Sequence, residues 1–345
     1  MKRMLNTLYV TTQDCYLARD GDTVAVRVER ETRLRVPLLT LDGIVCMGRV
    51  GCSPALMAVC GECDVAITWL TEHGRFQGRF VGPTTGNVQV RRAQYRLSDD
   101  PSAAADIARA LLIAKIANCR TVLLRAARDH GDAGSVSGAA LSGAAHRMAV
   151  MLRALPEGAT LDMLRGLEGD AAREYFAVFD HLIVAQKEDF SFRKRTRRPP
   201  QDSINSLLSF LYSLLTHDCV AALEAVGLDP QVGFLHRDRP GRPSLALDLM
   251  EELRPVVADR VALSLVNRRQ VRPRGFRRTE SGAVVMDDDT RKELLVAYQT
   301  RKQDELQHPF LQEKIPVGLI AHAQALLLSR YLRGELDGYP AFIWR

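Results

Sequence analysis

The residues best suited to chemistry lie in residues 227–255, GLDPQVGFLHRDRPGRPSLALDLMEELRP. His236 follows the apolar run Gly233-Phe234-Leu235, and a Pro/Gly-rich loop over 239–243 leads from it into a helical pattern capped by Ser244. Asp248 and Glu251 fall three residues apart on that helix, so their side chains stand about 60° apart on one face. Leu247 and Leu249 flank Asp248, an uncomfortable setting for a solvated carboxylate. A second segment, 164–176, carries Glu168 on a helical run beside Ala171, Ala172, Tyr175 and Phe176, which are small or apolar. One imidazole with several carboxylates is a donor set for Mg2+ or Mn2+ rather than zinc. A plainer reading stands beside this one. A lone helical Glu usually faces water, and Asp248, Glu251 and Glu252 can form one exposed acidic face. Spacing alone does not bring Glu168 to His236.

The positive charge is clustered rather than merely abundant. Lys and Arg number 47 against 41 Asp and Glu, a formal charge of +6. Arg193, Lys194, Arg195, Arg197 and Arg198 crowd together before Pro199-Pro200, and Arg268, Arg269, Arg272, Arg274, Arg277 and Arg278 crowd around Pro273 and Gly275. Guanidinium groups donate in pairs to phosphate oxygens. Two such loops, one on each side of the His236 segment in the chain, point to a nucleic-acid partner. No G-x-x-x-x-G-K-[ST] run is present, which excludes a P-loop nucleotide site. Cys60 and Cys63 form a CxxC pair, but Cys46 and Cys52 have the wrong spacing to complete a zinc ribbon. These thiols read instead as core residues of a β-rich region. Seven scattered cysteines without a secretory signal point to a reducing cytoplasm. No apolar run is long enough to predict a membrane span.

The elements that must position these groups fall into two regions. Runs at 7–11, 23–28, 32–38, 44–47 and 65–70 predict strands, with turn signals at Arg19-Asp20-Gly21-Asp22, Asp42-Gly43 and His73-Gly74. Ser53 and Pro54 predict the start of a helix running to about Cys60. From Pro101 onward the pattern turns helical, at 103–117, 144–155, 160–179, 203–226, 245–266, 290–308 and 316–334, with a loop over 131–143. The fold class expected is α+β: a small N-terminal β-sheet domain over 1–96, then a larger all-α catalytic domain over 97–345.

Three blocks together carry a resemblance: LEGDAAREYF at 167–176, RRPPQDSINSLLSFLYSLL at 197–215, and 227–255. The chain resembles the CRISPR-associated Cas-one family, integrases that insert new spacers into CRISPR arrays. LNTLYVT at 5–11, residues 44–56 and YLRGELDGYPAFIWR at 331–345 are similar to its I-C branch. The resemblance covers nearly the whole chain. It implies an N-terminal β domain that mediates homodimerisation and a helical domain holding one metal site. It puts the site's Glu on Glu168, its His on His236 and its third ligand on Glu251, with Asp248 one turn earlier as an auxiliary acid. Which of Asp248 and Glu251 ligates directly stays open. It further implies Mg2+ or Mn2+, double-stranded DNA as spacer and repeat, and two dimers bridged by the small Cas-two partner. The implied activity is that of a metal-dependent endonuclease and integrase in antiviral defence, joining a spacer 3′-hydroxyl to the repeat by transesterification. The residues alone would equally serve a repair or recombination nuclease, or a non-catalytic DNA-binding scaffold.

Overall fold

The computed structural model describes residues 7–41, 43–63, 65–72, 76–83, 88–130 and 136–344. The chain divides into two compact units, Met1–Gly86 and Asn87–Arg345. The turn residues Asp42, His73 and Gly74 lie outside the described residues.

The first unit holds β1 (Thr7–Val10), β2 (Cys15–Asp20), β3 (Thr23–Val28), β4 (Glu31–Pro37), β5 (Gly43–Met47), β6 (Val50–Cys52), α1 (Pro54–Glu62), β7 (Ala66–Leu70) and β8 (Phe76–Phe80). They form two four-stranded sheets, ordered β1-β5-β7-β8 and β4-β3-β2-β6. β1, β5 and β7 run parallel. A strand covered on both faces reads as a continuous apolar run, and in β5 Ile44, Val45, Cys46 and Met47 are all buried. Leu17 and Val24 from one sheet share a core with Ile44 and Ile67 from the other and with Leu56 and Cys60 of α1. α1 begins where expected: Ser53 Oγ accepts from Leu56 N at 3.2 Å and Pro54 occupies the first turn. Burial pushes the Cys60 thiol up to about 12, as suits a packed rather than a reactive cysteine.

The second unit begins with α2 (Val88–Asp99), so the division expected near residue 97 would fall inside a helix. It continues with α3 (Pro101–His130), α4 (Val136–Ala154), α5 (Leu161–Ala177), α6 (Ser203–Ala225) and α7 (Ser244–Leu253). A π-helical turn at Pro255–Asp259 then leads into α8 (Arg260–Asn267). A loop is expected over 131–143. Residues 131–135 lie outside the described residues, and from Val136 the chain is helical, with Leu141, Ala144, Ala145 and Met148 buried. The single helix expected over 245–266 is broken because Pro255 lacks an N–H. The ladder widens there, and Asp259 N reaches back to Arg254 O at 3.0 Å.

Two short antiparallel hairpins lie within this mostly helical unit: β9 (Phe276–Arg278) with β10 (Val284–Met286), and β11 (Glu305–Gln307) with β12 (Lys314–Pro316). Between them α9 (Asp288–Gln303) is capped by Asp287, and α10 (Ile320–Leu332) closes the helical set. α6 is long and apolar enough by composition to cross a membrane, yet it is the core helix here. Its Leu207, Leu208 and Leu211 are fully buried, and it packs on α7 and α10. The tail after α10 has no regular structure but is firmly seated. Asn118 of α3 donates to Glu252 O and Phe342 O at 2.7 and 2.8 Å and accepts from Trp344 N at 2.8 Å. The tail thereby fastens α3 to α7, the two helices that supply the centre of the candidate site.

Candidate active site

α7 organises the site because nearly all of it is buried, acids included. Asp248, Glu251 and Glu252 are 0, 1 and 0 % exposed, which overturns the reading of an exposed acidic face. A buried carboxylate needs partners, and each of the three has a different set.

Asp248 serves the His236 loop. Its Oδ2 accepts from Phe234 N at 2.6 Å and Leu235 N at 3.0 Å, and its Oδ1 accepts from His236 N at 2.9 Å and His236 Nδ1 at 2.6 Å. A carboxylate can only accept, so Nδ1 carries a proton and the Nε2 lone pair of a neutral ring is free to bind. Nε2 points toward Glu251, 4.0 Å from its Oε1. Gly233 makes this close approach feasible: a Cβ there would come within 2.8 Å of Asp248 Oδ2 and within 2.8 Å of the Ser244 carbonyl carbon. The loop has a second anchor on α2. Fully buried Gln94 donates to Asp229 O and Val232 O, both at 2.8 Å, and accepts from Asp229 N at 2.9 Å. Ser244 is the first residue of α7 rather than its cap, and its hydroxyl donates to Arg237 O at 3.2 Å.

Glu251 and Glu168 meet on a lysine. α3 carries Lys115 into the site, where Nζ pairs with Glu251 Oε2 at 2.7 Å and also with Glu168 Oε1. Glu168 arrives on α5, whose start is capped by Thr160 and whose Arg165 donates to Leu235 O at 2.8 Å. Three segments far apart in the chain are thus tied into one place. Arg254, one turn beyond Glu251, pairs with Glu251 Oε1. Although Glu251 is held by these ion pairs, neither of its oxygens accepts a well-directed hydrogen bond. Burial would raise the Glu168 carboxyl, but the Lys115 charge and hydrogen bond outweigh it, with smaller help from Arg254 and His236, and hold it below its usual range. Burial and then Arg254 hold the Lys115 ammonium below its own, despite Glu168.

Glu168, Glu251 and His236 Nε2 together offer two carboxylates and one imidazole, a fitting donor set for a hard divalent cation. The poorly satisfied, buried oxygens of Glu251 are the observation that fits such an ion best. The three do not yet close on a point: among the described residues no three His, Cys, Asp or Glu side chains form a ready metal shell. The Lys115 ammonium stands between the two acids instead. Asp248, with both oxygens already committed, is placed to orient His236.

Behind the site, Asp259 accepts from Tyr212 at 2.7 Å and Tyr175 at 3.1 Å. Burial pushes its carboxyl up to about 6, with those hydroxyls and Arg254 opposing. Glu252 points away from the others, accepting from Tyr339 and Phe342 N, each at 2.5 Å. Burial pushes it up to about 7 against those bonds.

The basic loops divide on inspection. Arg193, Lys194, Arg197 and Arg198 are exposed, as are Arg268, Arg269, Arg272 and Arg274. Arg195 is a correction to the expected phosphate contacts. Its guanidinium turns inward to Thr196 O, Asn205 Oδ1 and Ser209 Oγ, at 2.5, 2.8 and 3.1 Å, and lies over Tyr212. The two loops meet in space. Val284 N donates to Pro200 O at 2.8 Å and Arg278 to Gln201 O at 3.1 Å, which sets the β9–β10 hairpin against the first loop. A turn through Pro240 and Gly241, the latter at φ +71°, brings Arg242 N to Arg239 O at 3.0 Å. Burial lowers the Arg242 guanidinium, Arg239 and Arg197 add repulsion, and Asp248 opposes them. Arg242 therefore feels both Arg197 of the first loop and Asp248 of the site.

Lys115, Arg254 and Gln94 are the site residues that the sequence reading missed. A single Lys inside the apolar run Leu111-Leu112-Ile113-Ala114-Lys115-Ile116-Ala117 was the available signal. Such a charge on a packed helix requires an acid somewhere across the fold.

Comparison with known proteins places this geometry in company. The family model for "CRISPR associated protein Cas1" matches residues 8–300. A CRISPR-associated endonuclease Cas1 of Chlorobaculum tepidum is 52% identical over 345 residues, covering 100% of both chains. The structure of a CAS1 protein from Thermotoga maritima, 24% identical, matches with TM-score 0.80 over 96% of this chain and 98% of that one. A casposase bound to integration product, 21% identical, matches with TM-score 0.82 over 98% of this chain and 94% of the other. The last two likenesses concern the fold.

Proposed function

The chain belongs to the CRISPR associated protein Cas1 family and is an enzyme of the nuclease and integrase class, and from that premise we propose that it joins the 3′-hydroxyl of spacer DNA to a CRISPR repeat at the Glu168–His236–Glu251 centre. The observation that carries this reading is the convergence of α5, the His236 loop and α7 on one buried, acid-rich point, in a chain whose two arginine-rich loops meet in space with most of their cations exposed.

A divalent cation, Mg2+ or Mn2+, would be held by Glu168, Glu251 and His236 Nε2 and supplies Lewis-acid polarisation of the phosphodiester and activation of the attacking hydroxyl. The protein's own groups do the rest. Asp248 keeps the His236 ring in one tautomer and one orientation. Arg254, stacked on Tyr212 at 4.9 Å, keeps Glu251 aimed into the site. Arg239, Arg242 and Arg197 meet the phosphates nearest the scissile bond. Arg193, Lys194, Arg198, Arg268, Arg269, Arg272 and Arg274 hold the flanking backbones. Such contacts position DNA without reading its sequence, as a reaction on spacers of any sequence requires. With water in place of the 3′-hydroxyl the same centre is an endonuclease. The working assembly of this reading is a homodimer formed through the N-terminal unit, bound to double-stranded DNA and bridged by Cas2.

The experiment is strand transfer of a spacer duplex into a repeat-bearing plasmid, with Cas2 present. Joined product is expected with Mn2+ or Mg2+ and none after chelation. Nicking of plasmid without joining would favour a repair nuclease, and binding without either would favour a scaffold.

The basic surface gives a separate prediction. Duplex binding should weaken steeply with salt, by about 0.9 in log K per unit log salt for each phosphate neutralised. Replacing Arg197 and Arg198 together by Glu should flatten the slope by roughly two such contacts. The same reversal at Arg195 should instead lower the melting temperature, because its donors are spent on Asn205 and Ser209. An unchanged slope in the double variant would place this loop off the DNA path.

A further inference from the structure

Lys115 is a cation built into the place that the reading above gives to a metal. Its Nζ reaches Glu168 and Glu251 together, its side chain is 8 % exposed, and α3 is fixed by Asn118 to both α7 and the tail. An ammonium and a divalent ion cannot share the same carboxylate oxygens at contact distance. Arg254 also meets Glu251, on the Oε1 that faces His236, but its guanidinium is anchored over the Tyr212 ring, whereas Lys115 is the cation that bridges both acids. Lysine is also suited to yield: a flexible four-carbon stem carries a compact charge that can pair elsewhere.

We propose that Lys115 is the positioning residue of this centre, a resident counter-ion that holds Glu168 and Glu251 together and competes directly with the divalent cation for them. Metal enters as the ammonium swings out from between the acids, and metal affinity is set by that exchange. The inference rests on the proposed function of the site, and its sign separates it from a structural role. A lysine that merely braces α3 against α5 and α7 would, when removed, let the acids drift apart and weaken metal binding. A competing lysine, when removed, strengthens it.

The test is Mn2+ binding to the full-length protein without DNA, followed by electron paramagnetic resonance and by the shift in melting temperature. Lys115→Met, which keeps the stem and removes the charge, is expected to bind Mn2+ about tenfold or more tightly than wild type, because like-charge repulsion at contact range is large even with strong screening. Lys115→Arg keeps the charge and should stay as weak as wild type. If the methionine variant fails to fold, Lys115→Gln carries the same expectation. Unchanged or weaker Mn2+ binding in the uncharged variants, with wild type still binding and His236→Ala not, would overturn the competition and leave the site intact. Failure of both wild type and the uncharged variants to take up Mn2+ would sink the reading of the site itself, and this proposal with it.

Discussion

Replacing His236 by alanine is expected to reduce strand transfer by about a thousandfold or more while leaving duplex binding within a few-fold of wild type. Lewis-acid stabilisation at a phosphodiester is worth several kcal/mol, and each ~1.4 kcal/mol lost is a factor of ten in rate. His236 is the one neutral donor at the centre, so its loss leaves Glu168 and Glu251 to hold the ion beside Lys115 and Arg254, both of which repel it. The fold should tolerate the change, because the His236 side chain is partly exposed and its loop is fixed independently by Asp248 and Gln94. DNA affinity should persist, since the proposed function gives duplex binding to the exposed arginines of the two loops, away from His236. Glu168→Ala should behave alike. The readouts are single-turnover joining into a repeat-bearing plasmid, a thermal melt, and a filter-binding titration. Integration by His236→Ala at near wild-type rate would falsify the assignment of the centre.

The parts of this molecule that could be read from its sequence are those decided by neighbours in the chain. The α1 start is one: Ser53 and Pro54 act within a single turn. The dense arginine loops are another, but only their density was legible. That Arg195 faces inward depends on Asn205 and Ser209 across a bend. The β9–β10 hairpin was hidden inside an arginine-rich stretch that owes its pairing to Pro200 and Gln201 of another segment. α4 was read as a loop in its first turns because Gly138, Gly143 and several serines are poor helix formers, and packing on α3 outweighs that propensity.

The site follows the same logic. Asp248, Glu251 and Glu252 could also be read as one solvated face, because every group that neutralises them is either remote or unremarkable in type: Lys115 on α3, Tyr339 and Phe342 in the tail, backbone amides in the His236 loop. No periodicity links those partners. The likeness of several separate motifs to one family joined Glu168 to His236 before the fold did. Even that likeness could not divide the labour between Asp248 and Glu251, because both spacings are compatible with one helix face.

Asp248→Asn settles that division. Asp248 accepts four hydrogen bonds, two on each oxygen. Asparagine keeps the shape but turns one of those oxygens into a donor. If its amide nitrogen faces Phe234 and Leu235, two buried N–H groups lose their acceptor, at about 1–3 kcal/mol each. If it faces His236, the ring must flip its proton to Nε2 so that Nδ1 can accept, and the donor pair aimed at the metal is gone. Either outcome is expected to lower the melting temperature by several degrees and joining by roughly 10–100-fold, the range for a group that orients a ligand rather than being one. Mn2+ should still bind, more weakly. Glu251→Gln, by contrast, should lose most Mn2+ binding, and its cost in stability should come from leaving Lys115 and Arg254 short of a counter-charge rather than from lost hydrogen bonds. The opposite pattern, an Asp248→Asn protein that melts like wild type yet takes up no Mn2+, would make Asp248 the ligand and Glu251 the partner of Lys115 and Arg254 alone.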